Sequence, residues 1–128
     1  MDVSFNLVIQ SWPGGEHPFR LNVGQLRAIE QHCGCSVYDI RDRISAMRPM
    51  VDDNILVLRL GLEGAGMDAV GAKTLVENMR NLNPPDSFMY PAACVIQAAL
   101  SGVEDDPVGE MEAESQSDLS SPQSTPTE

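Results

Sequence analysis

The most apolar segment of this chain lies near its middle, where residues 51–66 read VDDNILVLRLGLEGAG. After two aspartates and an asparagine, large apolar side chains follow one another from Ile55 to Leu62 with only Arg59 and Gly61 between them. A helix of this composition is apolar on nearly every side, so it is stable only when other structure surrounds it. We predict that it begins at the aspartates, ends at Gly64 and Gly66, and forms the central buried helix of the fold.

Four more helices are predicted around this central one. Their apolar residues recur at spacings of three and four, which is typical of a helix with one buried side. Asn22 followed by Gln25 has the pattern of a capping box, and Ser36 and Asp68 are suitable caps for two later helices. The predicted helices run from Asn22 to Gly34, from Ser36 to Pro49, from Asp68 to Asn83, and from about Ser87 to Gly102.

The N-terminal region alternates with the period of a β-strand. Apolar side chains occupy every second position on both sides of a Trp-Pro-Gly-Gly turn: Val3, Phe5, Leu7 and Ile9 before it, and Phe19, Leu21 and Val23 after it. We predict a β-hairpin at 3–23 whose apolar face packs on the helices, because an isolated hairpin is marginally stable. The predicted fold class is therefore α+β and predominantly α, with an N-terminal β-hairpin packed on about five short helices.

The end of the chain differs from the rest in composition. Residues 104–128 contain eight of the 19 acidic residues and none of the eight basic ones, so most of the net charge of −11 lies there. They are rich in Ser and Pro and poor in large apolar side chains, and cannot bury enough surface to offset the entropy of ordering. We predict a folded domain at 1–103, with the hairpin at 3–23 and helices at 24–103, followed by a disordered acidic tail at 104–128.

The residues that could support chemistry are few and scattered. His32-Cys33-Gly34-Cys35 has ligand types that suit zinc, but a structural site usually needs a second cluster, and only His17 and Cys94 remain. Three cysteines are an odd number, which favours reduced thiols over a disulfide framework. The glycines at 61–66 close a helix, whereas a phosphate loop opens one. We therefore predict no enzyme activity, no catalytic residues, no metal and no cofactor.

Binding to nucleic acid or to a membrane is also not expected. The eight basic residues are spread along the chain, and an acidic tail would repel phosphate groups. The longest apolar run is far shorter than the roughly 20 residues that span a bilayer. The sequence predicts a soluble protein that acts by binding other proteins.

The order of several short motifs resembles one known family. These motifs are FRLNVGQLR at 19–27, VDD at 51–53, LRLGLEGAGM at 58–67 and ACVIQAALSGV at 93–103. Together they resemble the gene transfer agent family of phage tail assembly chaperones, over roughly residues 15–110. The resemblance implies a tail assembly chaperone that binds the tape measure protein and keeps it soluble in the bacterial host cytoplasm. The tail tube protein is a second candidate partner, and self-association is also considered.

Two other functions remain open at this point. One is a structural subunit that stays in the finished tail and pairs with its neighbours through the free edge of the hairpin. The other is a regulatory adaptor unrelated to tails, for which an acidic tail and the lack of catalysis are equally suitable.

Four methionines are the candidate partner contacts. Methionine surfaces repack around different partners, which suits a binding module. We predict contacts from Met47, Met50, Met67 and Met79, and the alternative for each is an ordinary place in the core.

Overall fold

A computed structural model describes residues 5–103 and has a hairpin followed by five α-helices. The predicted fold, mainly helical α+β with an N-terminal hairpin, is confirmed. In chain order the elements are β1 (Leu7–Trp12), β2 (Gly15–Arg20), α1 (Val23–Cys33), α2 (Val37–Ser45), α3 (Val51–Gly64), α4 (Ala69–Leu82), a short 3₁₀ helix (Pro85–Phe88) and α5 (Met89–Ser101). Val3 of the predicted hairpin and the predicted tail at 104–128 lie outside the described residues.

Helix α3 is the centre of the fold, as predicted. It packs against β2, α1, α4 and α5, and its Val57 and Leu58 are completely buried. It ends at Gly64, and Gly66 has a φ of +118°, a left-handed conformation in which glycine lets the chain turn away. Of the helices between residues 5 and 103, none, including α3, has the length and apolar character needed to cross a membrane.

The predicted helix caps are confirmed by hydrogen bonds. Each cap satisfies a backbone N–H group that the first turn of a helix leaves without a partner. The backbone N–H of Asn22 donates to Gln25 Oε1 at 3.0 Å, that of Tyr38 donates to Ser36 Oγ at 3.0 Å, and that of Gly71 donates to Asp68 Oδ2 at 2.9 Å.

The hairpin turns a different face toward the helices from the one predicted. Leu7 and Ile9 lie on its outer side, where Ile9 is 58% exposed, whereas Val8 and Trp12 face inward. The strand register explains this, because Val8 pairs with Phe19 and therefore shares its side of the sheet. Since Phe19 is fully buried, the odd-numbered residues of β1 must point outward. The predicted apolar face of β1 is thus wrong.

Trp12 anchors the hairpin to the helical layer. Its ring packs edge-on against Phe19, with centroids 6.0 Å apart, and lies 6.4 Å from that of Phe88. The indole N–H donates to Nδ1 of His17 at 2.8 Å, so its polar atom is satisfied. A Cβ on Gly14 would lie 2.3 Å from the indole ring, so only glycine fits beneath it. Trp12 is therefore a core residue as well as part of the turn signal.

The outer edge of β1 carries unpaired backbone groups. Ile9 lies opposite Pro18, which has no N–H, so this pair has its backbone groups directed away from the neighbouring strand. The backbone groups of Leu7 and Ser11 have the same orientation, because each residue lies two positions from Ile9 along the strand. No third strand pairs with β1 in the part of the chain that the structure describes. We call the solvent-facing side of the sheet, with Leu7, Ile9, Pro18 and Arg20, the hairpin outer face.

Candidate partner-binding surfaces

The four predicted methionines do not share one surface. Met47 and Met50 are 73% and 64% exposed, whereas Met67 and Met79 are half-buried and pack against the hydrophobic core. The structure adds Met89, at the start of α5, which lines the same depression as Met47 and Met50. The sequence does not single out Met89, because the helix that it begins is marked mainly by small apolar residues. Partner contact remains a prediction for all four.

We call the depression around these residues the methionine groove. It lies between the end of α2, the loop at 46–50 and the start of α5, and consists of two adjoining cavities of about 330 and 200 Å³. Met47, Asp86 and Met89 line both cavities. The first is completed by Ile44, Ser45, Tyr90 and Ala93, and the second by Pro49, Met50, Val51, Asn54 and Pro85. The groove is mainly apolar, with the exposed Asp86 at its rim. Such a surface suits an apolar partner segment.

Met47 is presented to the groove by a strained loop. Helix α2 ends at Ser45, before the predicted end at Pro49, and Met47 lies beyond it. Met47 has a φ of +60°, a left-handed conformation that costs an L-residue about 1–2 kcal/mol. The backbone N–H of Arg48 donates to the carbonyl of Arg43 at 2.8 Å, which closes the turn around Met47. The loop therefore holds an exposed apolar side chain at a position where glycine would be more stable.

Replacing Met47 with glycine is expected to raise the free energy of unfolding by about 0.5–1 kcal/mol, because glycine adopts this φ without strain. Urea unfolding followed by circular dichroism measures the change. The control is Ala46→Gly at the neighbouring position, where φ is −82° and glycine should lower the stability. Equal destabilisation by both substitutions would contradict the strain assigned to Met47.

An ion pair with a buried carboxylate holds the loop beside the groove in place. Asp53 is 3% exposed and accepts two hydrogen bonds from Arg43, both at 3.0 Å. It also accepts the backbone N–H of Met50 at 2.8 Å, which caps α3. The hydrogen bond to Asp53 raises the pKa of Arg43 above its ordinary value, so the guanidinium stays charged. Asp53 therefore ties α2 to α3 and holds the loop at 46–50 between them.

Asn54 is a buried polar residue beside the groove. It is 5% exposed and lines the second cavity as well as a small cavity of about 40 Å³ next to Arg80 and Phe88. Its Oδ1 has no hydrogen-bond partner among residues 5–103. A buried acceptor without a partner costs about 1–3 kcal/mol. The sequence does not single out Asn54, which has the pattern of an ordinary residue in the first helical turn.

The cysteines at the α1–α2 corner form a structural cluster. Cys33 and Cys35 are half-buried, and Arg43 Nη1 lies 3.7 Å from Cys35 Sγ. Burial raises the pKa of the Cys33 thiol, and the nearby Asp53 carboxylate raises it further. The thiol is therefore less able to form the thiolate that metal binding requires. In the described part of the chain, no three His, Cys, Asp or Glu residues come together as a metal site.

Comparison with protein-family models matched residues 8–102 to a family described as phage tail tube protein, GTA-gp10. Searches of curated proteins and of solved structures found no match. The family match confirms the gene transfer agent and phage tail part of the resemblance.

The same match corrects the predicted role. A tail tube protein is a structural part of the tail, so the prediction of a tail assembly chaperone is wrong. Its predicted binding to the tape measure protein has no support from the match. The alternative prediction, a structural tail subunit, agrees with the family description. Because the match covers most of the chain, this protein belongs to the phage tail tube protein family GTA-gp10.

Proposed function

We propose that this protein is a structural subunit of the tail of a phage or gene transfer agent, present in several copies and retained in the finished particle. The family description supports a structural role. The exposed apolar side chains of the hairpin are the observation that supports contact between copies. Such a subunit requires complementary binding surfaces and no catalysis. It would be made in the host cytoplasm before assembly.

The hairpin outer face has the properties of a surface that another subunit covers. Ile9 is 58% exposed, and Phe5, just before the strand, is 64% exposed. The outer edge of β1 also presents the backbone N–H of Ile9, whereas the residue paired with it on β2 is Pro18, which has no N–H. Apolar side chains beside an open strand edge favour pairing with another chain. Contact with a neighbouring copy would bury both features together.

The test is the composition of purified particles. We expect quantitative mass spectrometry to find several copies per particle, still bound after a high-salt wash. Substituting Ile9→Asp should reduce incorporation at least about tenfold, because it places a charge in the buried contact. The control is Val70→Asp, which changes an apolar residue that is 76% exposed, at the start of α4 and outside both surfaces. Absence of the unaltered protein from washed particles would overturn the proposed function.

A further inference from the structure

We infer that the methionine groove of one copy receives the hairpin outer face of the next, so that the copies join head to tail. The inference rests on the proposed function, since it requires copies to meet in the tail. It identifies the two surfaces that touch.

The two surfaces match in polarity. The groove is concave and mainly apolar, with cavities of about 330 and 200 Å³. On the hairpin outer face, the apolar Ile9 has 58% of its surface exposed. Met47 and Met50 can adjust around an entering β-branched side chain, because unbranched thioethers repack readily.

The β1 edge beside the hairpin outer face adds hydrogen-bonding groups to the contact. The N–H groups of Leu7 and Ile9 are directed away from β2. A copy that covers the outer face can also pair with these groups.

Opposite charges flank the two surfaces. Asp86 is exposed at the rim of the groove, and Arg20 lies on the hairpin outer face opposite Leu7. Arg20 forms no ion pair between residues 5 and 103, and its buried Nε has no hydrogen-bond partner there. A second pair of opposite charge is available from exposed Arg48 beside the groove and exposed Glu16 on the hairpin. Complementary charges of this kind set the orientation of a contact.

The positions of the two surfaces require the contact to be between copies. The hairpin is held in place by Trp12 and Phe19 in the core, so its outer face points away from α3 and α5. The groove opens beside α2, which packs against α5 separately from the hairpin. One copy therefore cannot fill its own groove. A contact between two different patches is heterologous, and repetition of it produces a closed ring or a helical filament.

A mixing experiment tests this arrangement. In full-length Met50→Asp a charge enters the groove, and in full-length Ile9→Asp a charge enters the hairpin outer face, so each variant has one surface that can no longer bind. Both changes are at exposed positions. Each variant alone should sediment as a monomer at a concentration where the unaltered chain assembles. An equimolar mixture should form a 1:1 dimer that grows no further, because only one intact groove and one intact outer face can meet. Thermal unfolding checks that both variants are folded.

Charge exchange gives an independent measurement. Arg20→Glu and Asp86→Arg should each weaken assembly about tenfold, and the two changes in one chain should restore most of the loss.

Several outcomes would overturn the inference. In the mixing experiment, these are assembly of Met50→Asp alone, or a mixture that stays monomeric. In the charge-exchange experiment, it is a double variant that does not regain assembly. An unaltered chain that is monomeric at all concentrations would also overturn it. These results are independent of particle composition. If the protein is retained in particles but groove variants assemble normally, only the groove contact is wrong and the proposed function stands.

Discussion

Replacing Asp53 with alanine is expected to lower the free energy of unfolding by about 3 kcal/mol. The substitution removes both hydrogen bonds to Arg43 and the cap on the N–H of Met50. Asp53 is 3% exposed, so water cannot replace the lost carboxylate without rearrangement. Because the carboxylate joins α2, the loop at 46–50 and α3, the loss should also loosen the groove. Urea unfolding with a two-state fit measures the change.

The matched control is the neighbouring Asp52, whose side chain is 74% exposed and pairs with Arg80 at the surface. Asp52→Ala should cost no more than about 1 kcal/mol, because exposed ion pairs contribute little. Changing Arg43 and Asp53 together to apolar residues should cost less than Asp53→Ala alone, since no charge is then left without its partner. Equal effects of Asp52→Ala and Asp53→Ala would contradict the importance of the buried pair.

Replacing Gly64 with alanine is expected to lower the free energy of unfolding by at least about 3 kcal/mol. A Cβ at this position would lie 1.8 Å from the carbonyl oxygen of Arg20 and 2.9 Å from its carbonyl carbon. Both are backbone atoms at the end of β2, so no side-chain rotation relieves the clash. The end of α3 would have to move away from the hairpin, opening the contact around Phe19. Thermal and urea unfolding would measure the loss.

Gly24→Ala is the control, because Gly24 also lies in a helix and a Cβ there meets nothing within 4 Å. In α1 the change should stabilise the protein by about 0.5–1 kcal/mol, since alanine is the better helix former. Gly61→Ala should be intermediate, because a Cβ there would lie 3.0 Å from the Phe19 ring and 3.2 Å from Val95, which are side-chain and not backbone atoms. A harmless Gly64→Ala would mean that α3 and β2 are not in close contact.

The helices and their starts were largely predictable, whereas the groove was not. Caps at Asn22, Ser36 and Asp68 depend on residues two or three positions away, so a local pattern is sufficient to find them. The groove combines Met47, Asn54 and Met89, which come from three separate elements. No spacing in the chain predicts which of these side chains meet. Met47 was also assigned to a helix that ends two residues before it.

The family could likewise be predicted from short sequence motifs, whereas the role of the protein could not. The order of glycine and leucine motifs identified a phage tail and gene transfer agent family, and the family match agrees. Gly61 and Gly64 serve packing of α3 against β2, and motifs of this kind describe a fold without specifying its partner. The role assigned from resemblance was therefore open to error, and the chaperone prediction was wrong.

By itself, the sequence determined the mainly helical fold, the central apolar helix, the caps and the presence of an N-terminal hairpin. These features follow from helical and strand periods and from capping, which act over a few residues. Only the tertiary structure decided which side of β1 faces the core. Alternation along the strand divides its side chains between two faces but does not show which face is buried. The pairing of Val8 with the buried Phe19 places Val8, and not Ile9, on the core side. The exposure of Ile9 and the unpaired Asn54 follow from the same long-range packing, which brings distant residues together and leaves others without a partner.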